Sequence, residues 1–147
     1  MALVIRPLET SDKEKWLELF DAYQAFYRAD VPAEVIEMTW NRFFDKSSSM
    51  GGLGAELDGR LVGITHYLFH ESTWEKGPTC YLEDLYVEEA ARGTDAAKAL
   101  IQGVEKKARE SNAASVYWHT QQYNSRARSL YDTITSPSSF IVYRMEL

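Results

Sequence analysis

The stretch TCYLEDLYVEEAARGTDAAKALIQGVEKKA, Thr79 to Ala108, decides the fold. Its pattern predicts a strand, a tight turn and a helix from about Asp95 to Glu110. Backbone N–H groups at a helix start lack partners, and the helix dipole makes that end positive, so small residues there favour an anion. The turn Arg92 to Ala97 therefore predicts a phosphate site. The strand before it carries two adjacent carboxylates, Glu83 and Asp84, which are candidate general bases.

Length and composition predict one globular domain over residues 1–147. A chain of 147 residues, with 45% hydrophobic and 26% charged residues, suits a single core. No run is long and apolar enough to predict a membrane span, and the first residues lack the pattern of a signal peptide. Cys80 is the single cysteine, so no internal disulfide forms. These features favour the cytoplasm.

The charge balance bears on possible partners. A net charge of −6 argues against nucleic acid, whose phosphates require a basic surface. The same charge is compatible with a cationic amine substrate. Acidity that only maintains solubility is the alternative interpretation.

The flanking segments predict the rest of the fold. Apolar residues at helical spacing predict one helix from Trp16 to Tyr27 and another from Glu34 to Phe44. Their aromatic residues are expected to be mostly core, with a few lining a substrate pocket. Asp58-Gly59 between two apolar runs predicts a hairpin. The remaining predicted elements are the strands Leu3–Arg6, Cys80–Val87, Ser115–Thr120 and Phe140–Leu147 and the helix Asn124–Thr133.

This order predicts an α/β domain of the mixed α+β type. The helix between the strands Cys80–Val87 and Ser115–Thr120 is a crossover connection, so those fourth and fifth strands should be parallel neighbours. The strands before them should be antiparallel because they are joined by short turns. We therefore expect a central, mostly antiparallel sheet with one parallel pair and helices on both faces.

Three motifs along the chain, a strand, a turn and a later helix, together resemble the GNAT superfamily of N-acetyltransferases. The resemblance covers nearly the whole chain. Arg92-Gly93 matches the start of the family's phosphate turn, although Asp95 stands where glycine is usual. The strand Tyr81–Val87 is similar to that of polyamine and thialysine acetyltransferases. Asn124 to Tyr131 has the Asn-x-x-Ala-x-x-Leu-Tyr pattern of the family's later helix. The ending Phe140–Arg144 resembles the small single-domain branch that includes yeast histone and polyamine acetyltransferases.

The resemblance implies acetyl-CoA as co-substrate. It implies that the main chain of Leu85, Tyr86 and Val87 pairs with the pantetheine arm. The pyrophosphate loop it implies consists of Arg92, Gly93, Thr94, Asp95, Ala96, Ala97 and Lys98. Asp95 would repel a pyrophosphate unless its side chain turns away to cap the helix. Asn124 is expected to hydrogen-bond the pantetheine arm, to cap its own helix, or both.

The catalytic candidates follow from acetyl transfer to an amine, in which the amine loses a proton and the departing thiolate gains one. The resemblance makes Tyr131 the candidate acid, with a buried structural tyrosine as the alternative. Glu83 is the candidate base, acting through water, and Asp84 is its alternative. Strand alternation predicts opposite faces for these two carboxylates, so that only one meets the substrate. His66 and His70 lack metal-type partners at useful spacing, and no metal site is predicted.

The sequence therefore predicts an acetyl-CoA-dependent N-acetyltransferase acting by direct transfer on a small primary amine, such as a polyamine, a lysine-like side chain or an amino acid. A protein or peptide acceptor is one alternative. A degenerate module that binds CoA without turnover is another. The resemblance also implies a homodimer formed through the last strands.

Overall fold

The computed structural model describes residues 2–147, with Met1 outside the described residues. Five strands and four α-helices occur in the order that most of the sequence patterns predict. Short 3₁₀ turns at Thr10–Asp12 and Glu89–Ala91 precede the first and third helices. The elements are β1 (Leu3–Pro7), α1 (Lys13–Phe26), α2 (Ala33–Arg42), β2 (Met50–Leu57), β3 (Arg60–His70), β4 (Thr79–Val87), α3 (Ala96–Glu110), β5 (Ser115–Tyr117) and α4 (Ser125–Tyr131).

The strands form one mixed sheet in the order β1-β2-β3-β4-β5. The first three pairings are antiparallel, and β4 and β5 are parallel. Helix α3 buries an apolar stripe on one face of the sheet, where Leu100 and Val104 are fully buried. Trp16 and Leu19 of α1 and Trp40 of α2 pack on the other face with Ile64. The predicted fold class, with helices on both faces and one parallel pair, is confirmed.

A tight turn at Asp58-Gly59 joins β2 to β3, as predicted. Asp58 has a φ of 51° and Gly59 a φ of 83°, both in the left-handed region. Residues flanking the turn pair directly, with Leu57 opposite Arg60. Glycine and aspartate tolerate this conformation, which matches the twist of a two-residue hairpin.

Strand β4 contains an irregularity beside the two carboxylates. His66 pairs with Asp84, but the next residue, Tyr67, pairs with Leu82. Glu83 is therefore an extra residue on β4, and the strand is bulged at this point. A bulge bends its strand and changes where the neighbouring side chains point.

Strands β4 and β5 separate after a short pairing. Tyr81 and Tyr117 are the last partners in the register, whereas β4 continues to Val87. From Leu82 onward β4 pairs with β3 alone, so its other edge has no strand partner among residues 2–147. This leaves a cleft in which main-chain N–H and C=O groups of β4 are available.

The predicted closing strand, Phe140–Leu147, is wrong for the single chain. This segment has no regular secondary structure, and its large apolar residues are exposed. The last strand of the sheet, β5, has three residues instead of the six expected for Ser115–Thr120. An extended segment needs a paired neighbour to be stable, and so short an edge does not provide one.

The helices of residues 2–147 are all too short or too polar to cross a lipid bilayer.

Candidate active site

The turn between β4 and α3 forms one end of an open groove of about 330 Å³, which we call the cofactor groove after the role expected from the sequence. Gly93 adopts a φ of 87°, a conformation that glycine reaches without strain. Arg92, Gly93, Thr94 and Ala97 line the groove beside the start of α3. The arginine donates from Nε to the Val87 carbonyl at 3.3 Å, and its guanidinium lies 5.9 Å from the Tyr86 ring centre. Positive charge and free helix-start N–H groups therefore meet at this end.

Three residues of the predicted phosphate loop lie outside the groove lining. Ala96 is fully buried in the core, and neither Asp95 nor Lys98 lines the groove. Asp95 occupies the N-cap position of α3, yet its side chain makes no capping hydrogen bond, contrary to expectation. Thr94 acts there instead: its hydroxyl donates to the Ala91 carbonyl at 2.6 Å and accepts weakly from the Ala96 N–H at 3.4 Å. The Asp95 carboxylate is exposed and away from the groove.

The long walls of the cofactor groove come from β4 and α4. Leu85, Tyr86 and Val87 form one wall, at the edge of β4 that has no strand partner. Asn124 lies opposite, where its Oδ1 accepts from the Ala127 N–H at 3.3 Å and caps α4. The predicted capping role of Asn124 is thus confirmed.

Arg126 also lines the groove and was missed by the sequence analysis. It lies within the later motif, two residues after Asn124, so its place in that motif could have identified it as a groove residue. With Arg92 it brings a second cation to the groove.

Tyr131 reaches the inner end of the cofactor groove. Its ring packs edge-on against Trp118, with 5.5 Å between ring centres. Burial raises the pKa of the Tyr131 phenol, and the nearby Tyr27 adds to the shift. The phenol therefore keeps its proton at neutral pH and can donate it.

A second pocket, of about 370 Å³, lies next to this groove and contains both carboxylates of β4; we call it the acceptor pocket. Glu83 and Asp84 both line it, contrary to the expectation that only one would meet a substrate. The bulge at Glu83 explains the difference, because it interrupts strand alternation between the two residues. Partial removal from water, followed by the Asp84 charge, raises the pKa of the Glu83 carboxyl.

Aromatic rings at the end of α1 and just after it border both cavities. Tyr23 and Tyr27 line both the cofactor groove and the acceptor pocket. They also line a narrow gap of about 20 Å³, the junction, in which Glu83 and Tyr131 are brought together. Burial, with the nearby Asp84 charge, raises the pKa of Tyr23. The expectation that some helix aromatics line a pocket is confirmed for these two.

Sequence reasoning also missed His66 and Gln24 in the acceptor pocket. Each is buried, and neither belongs to a motif that indicates its partners. Their positions depend on packing between α1 and β3, which no local pattern records.

Two observations bear on a cysteine nucleophile and on a metal site. Burial raises the pKa of the Cys80 thiol to about 11, so it is poorly suited to act as a thiolate nucleophile. Within residues 2–147, no three His, Cys, Asp or Glu side chains cluster closely enough to hold a metal ion.

Comparison with known proteins agrees with this geometry. The model of the acetyltransferase (GNAT) family matches residues 16–134. The chain is 34% identical over 144 residues to the D-amino-acid N-acetyltransferase HPA3 of Saccharomyces cerevisiae, which covers 97% of this chain and 89% of the yeast protein. It is 34% identical over 74 residues to the thialysine N-epsilon-acetyltransferase of Bos taurus, which covers 50% of this chain and 43% of the bovine protein.

The fold has solved counterparts. The crystal structure of a ribosomal-protein-alanine N-acetyltransferase from Brucella melitensis biovar Abortus 2308 matches with a TM-score of 0.80, at 22% identity and with all of both chains covered. At this identity the likeness establishes the fold alone.

Proposed function

The chain belongs to the acetyltransferase (GNAT) family and is an acyltransferase, and on that premise we propose that it transfers acetyl from acetyl-CoA directly to a primary amine of a small cationic substrate. Polyamines, lysine-like side chains and amino acids are the acceptor classes. No covalent acetyl-enzyme forms in this proposal, because both substrates bind side by side.

The cofactor groove suits a long, anionic co-substrate. The pyrophosphate lies at the Arg92–Ala97 turn, where the main-chain N–H groups of Gly93 and Ala97 and the cations of Arg92 and Arg126 favour negative charge. The amide groups of the pantetheine arm pair with the free edge of β4 at Leu85–Val87. This pairing places the thioester at the inner end of the groove, near Tyr131.

The acceptor pocket suits a small ammonium compound. Two carboxylates, Glu83 and Asp84, face rings of Phe20, Tyr23 and Tyr27. Carboxylates and aromatic faces both attract cations. A pocket of about 370 Å³ fits a small molecule more readily than a folded protein segment.

The reaction needs three proton movements. Glu83, through a water molecule, takes a proton from the ammonium group, and the freed nitrogen attacks the thioester carbonyl carbon. The carbon–nitrogen bond forms, the carbon–sulfur bond breaks, and Tyr131 donates its phenolic proton to the departing thiolate, while the nitrogen gives its second proton to water as the amide forms. The amide and CoA then leave, and the two side chains exchange protons with solvent.

The observation that carries this proposal is the junction, where Glu83 of the acceptor pocket and Tyr131 of the cofactor groove share one small gap. A base and an acid in that arrangement serve an acceptor and a leaving group that meet between them.

Calorimetric titration with acetyl-CoA, followed by a CoA-release assay, tests the proposal. The amines assayed are cadaverine, lysine, D-amino acids and a lysine-containing peptide. Binding followed by release on a small amine is the expected result. Binding without release on any amine indicates a CoA-binding module, and release on the peptide alone indicates a protein acceptor. Absence of binding refutes the proposal.

The proposal includes a homodimer in which a second copy covers the C-terminal segment Phe140–Leu147. Phe140 and Tyr143 are 88% and 91% exposed, and they lie in a β-prone run without a strand partner among residues 2–147. Light scattering should give twice the chain mass for the wild type and for Trp74→Ser, which alters an exposed aromatic elsewhere, but the monomer mass for Phe140→Asp. A monomeric wild type contradicts this part.

The cytoplasm remains the proposed compartment, which a single buried cysteine permits.

A further inference from the structure

A buried histidine connects the hydrophobic core to the acceptor pocket. His66 of β3 is 5% exposed and packs edge-on against Phe20, with 5.1 Å between ring centres. Trp16 of α1, which is fully buried, donates from its indole Nε1–H to His66 Nε2 at 2.9 Å. The other ring nitrogen, Nδ1, lies 2.8 Å from Oδ2 of Asp84.

The chemistry of these groups fixes the position of the histidine proton. An indole N–H only donates, so His66 Nε2 must accept and carries no proton. A neutral imidazole has one N–H, which is then on Nδ1 and donates to the Asp84 carboxylate. A doubly protonated ring would set two N–H groups against each other in a buried site.

On the basis of the function proposed above, we propose that Trp16 and His66 are positioning residues that hold Asp84 as a fixed anionic anchor for the ammonium group of the acceptor. One oxygen of Asp84 is held by His66, and the side chain remains 24% exposed within the acceptor pocket. The anchor keeps one orientation because the buried His66 ring, whose proton the Trp16 N–H confines to Nδ1, donates to it from a fixed position.

This arrangement separates the roles of the two adjacent carboxylates. Asp84 is hydrogen-bonded to a ring that has no further proton to give, so it acts through charge and position. Glu83 lies at the junction and forms no side-chain hydrogen bond or ion pair within residues 2–147. It is therefore free to receive and release a proton. Loss of the anchor should weaken amine binding and leave turnover intact.

Two matched substitutions test the anchor. His66→Asn retains an N–H donor near the Nδ1 position and so keeps the bond to Asp84. His66→Gln places its amide near the Nε2 position, which keeps the contact with Trp16 and loses the bond to Asp84. Both replace a buried ring by a smaller amide, so thermal unfolding should shift similarly for the two. The measurements are Kd for cadaverine by calorimetry and kcat and KM by CoA release.

We expect His66→Asn to keep the cadaverine Kd and KM within about threefold of the wild type. His66→Gln should raise both about tenfold, the loss expected for a charge-assisted hydrogen bond, with kcat nearly unchanged. Equal behaviour of the two variants, or a fall in kcat at constant KM, overturns the inference. So does a wild type that does not bind cadaverine. Binding that follows the expected pattern without CoA release counts against the proposed function alone.

A measurement on the wild type removes any dependence on the folding of variants. Long-range ¹⁵N–¹H correlation spectra distinguish the protonated nitrogen of each histidine ring. His66 should show a protonated Nδ1 and a bare Nε2 at neutral pH. The opposite tautomer, or a doubly protonated ring, overturns the inference.

Discussion

Replacing Gly93 by alanine isolates the contribution of the phosphate turn to cofactor binding. Gly93 has a φ of 87°, and a Cβ added there meets no atom within 4 Å. The substitution therefore adds backbone strain without a steric clash. An L-residue in the left-handed region costs about 1–2 kcal/mol.

The turn of the free variant relieves this strain by leaving its native conformation. Binding of the pyrophosphate restores that conformation, so affinity falls by the strain energy. A loss of about 1–2 kcal/mol corresponds to a Kd for acetyl-CoA about 5- to 30-fold higher than that of the wild type, measured by calorimetric titration.

Gly59→Ala is the matched control. Gly59 has a φ of 83° and equally open surroundings, but it lies in the β2–β3 turn away from the groove. The same strain should lower its Tm by about 2–8 °C and leave the Kd for acetyl-CoA unchanged. An unchanged Kd in Gly93→Ala, or an equal loss of affinity in both variants, refutes the reasoning.

Three further perturbations address the acid, the base and the core. Tyr131→Phe keeps the ring and removes the proton donor, so kcat in the CoA-release assay should fall about 100-fold or more with Tm unchanged; full activity would assign Tyr131 to packing. Glu83 has a raised pKa and must be ionised to act as base, so kcat should decline as the pH falls through that pKa. In Glu83→Gln, kcat should be low at every pH without this acid limb, and a limb that persists in the variant would exclude Glu83. Leu100→Ala empties a fully buried position of α3 and should lower the free energy of unfolding by about 2–5 kcal/mol in urea titrations; a loss below about 1 kcal/mol would contradict the packing described.

Local sequence patterns were sufficient to predict most of the fold. Apolar spacing along α3 and the Asp58-Gly59 pair each specify a structure within a few residues, so both predictions are confirmed. The parallel pairing of β4 and β5 followed from the crossover helix between them. The closing strand failed because β propensity alone does not provide a neighbouring strand, and β5, the last strand of the sheet, has only three residues.

The candidate site was predictable where its groups come from contiguous motifs. Arg92, Gly93, Thr94, Asn124 and Tyr131 all lie along one groove, as expected from their order. The meeting of both β4 carboxylates in one pocket was not predictable, because the bulge that causes it depends on the register with β3.

The contact between Trp16 and His66, which supports Asp84, could not be predicted from the sequence for a different reason. Trp16 and His66 are 50 positions apart and come within hydrogen-bond distance only after α1 has packed on the sheet. A lone histidine in a strand is ambiguous until its partners are known. The predicted Asp95 cap was also wrong: Asp95 occupies the N-cap position of α3, but the Thr94 hydroxyl, not the Asp95 carboxylate, accepts from the Ala96 N–H.

The free edge of β4 has a consequence for the handling of the purified protein. Unsatisfied main-chain groups beside an exposed strand are a template on which a foreign chain can add, the first step of β-sheet aggregation. In the complex proposed above, the pantetheine arm covers those groups. Preparations stripped of CoA should therefore precipitate sooner on storage than preparations kept saturated with it.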